Sequence, residues 1–253
     1  MAGLGLLPLF GAGMLAGAMN SLAGGGSFVS LPALIAAGVP SVPANASSTV
    51  ALWPGGVAGA WTYHERFRAV CGLSMTILLG LTLVGGLIGS VLLLVTPSSV
   101  FNVLLPWLLL MATLALAFAR RIGQVLEGRL RGHRLPVMIC QLGLGMYGGY
   151  FGGAVGLMMV SVWGLFGERD IKALNAPRTL LVVTANTVAV VTFVVAGAVV
   201  WPQTLAMLIG GLGGGFGGAR VGRKLPPQLT RWLTLAVSVG ITAVFFARAY
   251  GGR

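Results

Sequence analysis

Two glycine clusters and two Asn-Ala segments hold the groups in this chain that could do chemistry. The stretch AGGGS sets Gly24, Gly25 and Gly26 ahead of Ser27, with Asn20 one turn upstream, and FGGAVG sets Gly152 and Gly153 in the second half of the chain. Each cluster is followed by an Asn-Ala segment: NASST with Asn45, Ser48 and Thr49, and NAPRT with Asn175, Arg178 and Thr179. Glycine lets a backbone turn tightly without a Cβ clash. The free N–H groups at the start of the helix that follows attract anions through unpaired donors and the helix dipole. Asn, Ser and Thr add neutral donors, and Arg178 adds a charged fork suited to an oxyanion. Together they predict a cradle for a small anion, one that can release it because most donors are neutral. Other readings compete at each position. Glycines also serve close helix packing, Asn, Ser and Thr also cap helices, and an arginine near a membrane surface also snorkels to headgroups.

The residues that would support other chemistry are absent from the sequence. There is no Walker A motif, no Ser/His/Asp arrangement and no His/Cys/carboxylate cluster, so neither a metal nor another cofactor is expected. The acids are Glu65, Glu127, Glu168 and Asp170, all in predicted loops, which leaves hydrolytic catalysis without its groups. An enzyme is therefore not expected. Cys71 and Cys140 sit in apolar surroundings and read as small hydrophobes.

The elements that position these groups follow from composition. Of 253 residues, 57% are hydrophobic and only 8% charged, with a mean hydropathy of +0.95; a soluble domain carries about 25% charged residues. Apolar runs long enough to span a bilayer as helix occur at Val70 to Val95, Val100 to Ala119, Leu135 to Phe166, Ala173 to Val200 and Leu229 to Ala247. The runs are continuous, without the alternation of lipid-facing barrels, so an all-α transmembrane protein is predicted, with lipid as its surroundings. The net charge of +12 is concentrated in HERFR, in RRIGQVLEGRLRGHR and around RVGRK. Such clustering is the pattern of cytoplasmic loops rather than of a nucleic-acid surface.

The chain also repeats itself. PANASSTVAL matches ALNAPRTLLV, AGGGSFVSLPAL resembles FGGAVGLMMVSV, and GGLIGS matches GGFGGA, in one order at a shift of about 130 residues. Two transmembrane repeats are predicted, residues 1–119 and 135–253, joined by a basic cytoplasmic loop at 120–134. If the three basic segments share one side of the membrane, Leu135 to Phe166 must begin and end on that side. That suits a glycine-broken hairpin, and Leu4 to Ala37 reads as its equivalent. Each repeat then holds one hairpin and about three crossing helices, which inverts the second repeat against the first and leaves both termini outside. Pro32 is expected in the first turn of the second hairpin helix. Inverted repeats with broken helices place transporter sites near the midplane. Intramembrane carboxylates are missing, so any proton coupling would use rim groups such as Glu65 and His64, or the substrate itself.

With NSLAGGGSFVSLPALIAAGVPSVPANASSTVAL in one half and GGYFGG followed by DIKALNAPRTLLVV in the other, the whole chain resembles the sulfite exporter TauE/SafE family of membrane permeases. The resemblance implies ATP-independent transport of sulfite, organosulfonates or related sulfur-containing anions across the bacterial cytoplasmic membrane. An anion channel using the same positive sites, without gates, is the competing expectation.

Overall fold

The computed structural model describes residues 5–62, 67–125, 134–168, 170, 173–222 and 226–251. His64 and Glu65, and most of the basic loop between the halves, lie outside the described residues. Ten helices are described: α1 (Leu6–Ala23), α2 (Ser27–Ala36), α3 (Ser41–Thr62), α4 (Met75–Val95), α5 (Ser98–Val125), α6 (Arg134–Tyr150), α7 (Val155–Leu165), α8 (Asn175–Val195), α9 (Trp201–Gly222) and α10 (Pro227–Tyr250). Among the described residues the only β pairing is the bridge between Val70 and Leu73. Four segments are long and apolar enough to cross a bilayer, Met75–Val95, Ser98–Phe118, Asn175–Val195 and Trp232–Tyr250. The helical order repeats, α1 to α5 against α6 to α10, with a short second member in each set.

Each set opens with a longer helix and a shorter one, separated by a break at glycine. α1 ends at Gly24 (φ +75°) and the α6 stretch turns at Gly152 (φ +76°), the same left-handed cap at equivalent points. Beyond the first break, Gly26 lies against the Ala16 carbonyl, ten residues earlier in the chain, so α2 returns along α1. Beyond the second, the Trp163 indole donates to Gln141 Oε1 (3.2 Å), which joins the end of α7 to the middle of α6. One detail differs from expectation. α2 already begins at Ser27, because the Gly26 carbonyl accepts from both Val29 and Ser30, so Pro32 stands in the helix interior rather than in its first turn.

The halves are not side-by-side units. α1 packs along α9, and α6 packs along α4, so the first helix of each set is held mainly by the opposite half. Glycine makes these crossings close. A Cβ on Gly13, Gly17, Gly210 or Gly214 would overlap a backbone carbonyl across the α1–α9 seam, and one on Gly85, Gly89 or Gly149 would do so across α4–α6. GGLIGS and GGFGGA are therefore packing surfaces of the small-residue kind. The equivalent helices α3 and α8 run antiparallel: Trp53 Nε1 donates to Thr187 Oγ1 (2.9 Å), Gly56 meets Val183 and Gly59 meets Thr179. α5 and α10 do the same, with Tyr250 at Val103 and Thr113 at Thr242.

Most charged side chains among the described residues gather at one end of the bundle, while Arg248, in the last turn of α10, lies at the other. At the Arg248 end Ser47 Oγ accepts from the Val200 amide just ahead of α9. At the charged end, past the last turn of α3, Arg68 pairs with Glu168 (3.1 Å) between α7 and α8. Arg134, at the start of α6, and Arg220, near the end of α9, share the Arg68 end. In the same loop Cys71 (φ +51°) forms a tight turn with Gly72 (φ +74°), and its amide donates to Glu168 Oε1 (2.8 Å). Burial, and then the neighbouring Glu168 carboxylate, push the Cys71 thiol up to about 12. A raised thiol stays neutral where an exposed one has already ionised. Alkylation of Cys71 in a Cys140→Ala background should therefore keep rising with pH through 10. A midpoint of the rate at about pH 9, with a plateau soon above it, would show an ordinary thiol.

Candidate functional site

Both breaks lie against the middle of a central helix. Gly26 is wedged so that an added Cβ would stand 2.6 Å from the Ala16 carbonyl, 2.9 Å from Asn20 Cβ and 3.1 Å from Leu52 of α3. Gly25 faces the Thr234 methyl of α10, while Gly24 has open space around it and is glycine for its positive φ alone. In the second half a Cβ on Gly152 would stand 3.5 Å from Asn186 Oδ1 of α8, and Gly153 is crowded by the Phe151 ring. Ala154 takes the left-handed conformation (φ +56°) where the first half has Gly26 in a helical one, a local strain of about 1–2 kcal/mol. Leu52 and Asn186 both sit near mid-helix, so the two chain breaks are level with the centre of the bundle.

Among the described residues, the Gly25, Gly26 and Ser27 amides ahead of α2 take no part in the backbone hydrogen-bond pattern. The Gly153, Ala154 and Val155 amides ahead of α7 likewise take no part. These are the donors that a helix start leaves over.

The polar side chains divide between fastening and display. Asn45 lies a turn inside α3, which begins at Ser41, so it does not cap the helix; its amide reaches across and donates to the Tyr150 carbonyl at the second break (2.9 Å). Ser48 is buried against Ser30 (Oγ to Oγ 2.6 Å), and Ser30 also donates to the Gly26 carbonyl (3.2 Å), which anchors the start of α2. Thr49 and Thr179 return their hydroxyl protons to the Asn45 and Asn175 carbonyls (2.9 and 2.7 Å), leaving oxygen lone pairs rather than donors. Asn175 opens α8 without a capping bond. Asp170 does that work, taking the Ala173 amide on its carboxylate (3.0 Å) and the Leu174 amide on its carbonyl. Asn20 and Ser27 are partly buried and make no side-chain hydrogen bond among the described residues.

Arg178 is partly buried, and its stem lies over the first turn of α7, where a Cβ on Gly156 would stand 3.2 Å from its Cγ and Cδ. The glycine leaves room for the arginine. Arg178, Val182 and Asn186 recur every four residues, so one stripe of α8 faces α7 and its break. α3 joins the two breaks in turn: Leu52 touches the first, and Asn45, two turns away, touches the second.

Asn186, Ser30 and the Trp53–Thr187 pair were not among the candidates read from sequence. Asn186 had a signal, a lone amide inside the apolar run LLVVTANTVAVV.

The sequence matches the family described as "Sulfite exporter TauE/SafE" over residues 9–245. It is 30% identical over 245 residues to the "Probable membrane transporter protein YfcA" of Escherichia coli (strain K12), covering 96% of this chain and 90% of that one. A "Probable membrane transporter protein" of Haemophilus influenzae is 29% identical over 93% of this chain and 92% of its own. No solved structure matches significantly.

Proposed function

The chain belongs to the sulfite exporter TauE/SafE family of membrane transporters, and from that premise we propose that it is a secondary exporter of small sulfur-containing anions such as sulfite or organosulfonates. The observation that carries this reading is the pair of chain breaks level with the middle of the bundle, each followed by a helix whose first amides are uncommitted. The anion is held by those amides and by the charge of Arg178, with neutral help from Asn20, Asn175 and Ser27. Gly24, Gly25, Gly152 and Gly153 set the backbone course. Ser48 and Asn45 act from behind by fixing the two breaks, and Thr49 and Thr179 tie the neighbouring turns.

The antiparallel pairing of α3 with α8 and of α5 with α10 supports halves that are inverted in the membrane. The end holding Arg68, Arg134 and Arg220 is then cytoplasmic, by the bias of cations towards that side. Exposed Trp61 and Trp232 mark one interface and Trp107, Trp201 and Tyr250 the other. Alternating access exposes the central site to each side in turn. Because each hairpin is clamped to the opposite half, the moving bodies must mix elements of both repeats. Labelling checks the orientation. In a background lacking Cys71 and Cys140, Ala69→Cys and Pro202→Cys should react with an impermeant maleimide from opposite sides; reaction from one side would mean parallel halves.

Flux into proteoliposomes tests the mechanism. Sulfite flux should saturate and be accelerated by sulfite on the far side. Flux that grows linearly with concentration and ignores the far side would make the protein a channel instead.

A further inference from the structure

Asn186 carries a buried polar atom with nothing bonded to it. Its Oδ1 is enclosed and has no hydrogen-bond partner among the described residues. It points at the bare Cα of Gly152, where no side chain can answer it. Three donors of the neighbouring residues are spent elsewhere: the Gly152 amide goes to the Tyr147 carbonyl (3.2 Å), the Thr187 hydroxyl to the Val183 carbonyl (2.8 Å), and the Trp53 indole to Thr187 (2.9 Å). Buried acceptors are seldom left unpaired unless something else arrives to pair with them. The place is central, on the stripe of α8 that also carries Arg178, about 12 Å further along the helix by its rise. The matching stripe of the first half reads Ser48, Leu52 and Gly56, so neither a cation nor an amide acceptor stands at the equivalent points.

Resting on the reading of the central breaks as an anion site, we propose that Asn186 is a specificity-determining contact that accepts a hydrogen bond from a hydroxyl of the bound ion. The site then takes a singly protonated oxyanion in preference to the fully ionised form. Arg178 and the helix-start amides satisfy the charge, and Asn186 satisfies the one donor. A site built to pair with a substrate hydroxyl discriminates against the analogue without it, because its own polar group is then left unpaired.

The test compares two anions of equal charge on the purified full-length protein: hydrogensulfite, which carries an acid proton, and methanesulfonate, which has none. Binding of total sulfite by the wild type should weaken as pH rises and the monoanion is lost, while methanesulfonate binding stays flat. Asn186→Leu should weaken hydrogensulfite binding about tenfold, the scale of one hydrogen bond to an ion, and leave methanesulfonate within twofold. Asn186→Asp, close in shape, guards against misfolding and should weaken both anions by repulsion. Equal losses for the two anions in Asn186→Leu, or no loss for either, would overturn the proposal, as would a flat sulfite profile in the wild type. Failure of the wild type to bind either anion would instead overturn the anion-site reading beneath it.

Discussion

Gly89→Val is expected to yield no folded protein. Gly89 of α4 sits against α6 so closely that a Cβ would overlap the Met146 carbonyl and stand 2.9 Å from the Tyr150 amide. The obstacle is backbone, so no rotamer change relieves it; α4 and α6 must separate along their length. Overpacking a well-packed site costs about 1–3 kcal/mol and sometimes more. Here the loss extends to every close contact of the seam, Gly85, Gly86, Gly145 and Gly149 included. Gly214→Val should do the same at α1–α9, where Gly214 faces the Met14 carbonyl. The same helices provide controls. Gly80 of α4 and Gly213 of α9 have open space, so Gly80→Ala and Gly213→Ala should gain about 0.5–1 kcal/mol from helix propensity. Size-exclusion profiles and thermal unfolding in detergent measure both arms. A monodisperse Gly89→Val with wild-type stability would mean that the seam is looser than described.

Removing the Arg178 guanidinium should weaken sulfite or sulfonate binding by about 1.5–3 kcal/mol, the range for a hydrogen bond to a charged group. The stem of Arg178 crosses the first turn of α7 over Gly156, which keeps its charge near the second break. Arg178→Ala must be read beside Arg178→Lys, which keeps the charge but loses the fork and should recover part of the affinity. Asn45→Ala behaves differently. Its amide holds the Tyr150 carbonyl, so truncation strands a buried acceptor and should cost about 1–3 kcal/mol of stability, with a smaller direct effect on binding. Unchanged affinity in folded Arg178→Ala would leave that arginine with a lipid-facing role.

The breaks were legible in the sequence because glycine takes a positive φ without strain, and Gly24 and Gly152 both stand in that conformation. The packing role of GGLIGS and GGFGGA was legible for a related reason, since small residues at helical spacing imply a close neighbour. Which neighbour was not legible. Pairing of α1 with α9 joins residues about 200 positions apart by number, and local spacing contains no trace of that. The reach of Asn45 to Tyr150 is another distant pairing, and with α3 starting at Ser41 it makes an expected helix cap a tie between halves. Asn186 was hidden because a polar residue in an apolar run does not reveal its depth or its partners. Those depend on a glycine over thirty positions earlier.

The clamping of α1 and α6 by the opposite half also governs how the protein is made. α1 leaves the ribosome long before α9, yet the glycine face that receives it belongs to α9. Until α9 arrives, Gly13 and Gly17 face lipid or a chaperone, and the nascent first half is an open intermediate rather than a finished domain. A ribosome stalled after α5 should therefore leave a fragment that membrane proteases clear. The same fragment co-expressed with residues 134–253 should be rescued, because the second half brings both missing seams with it.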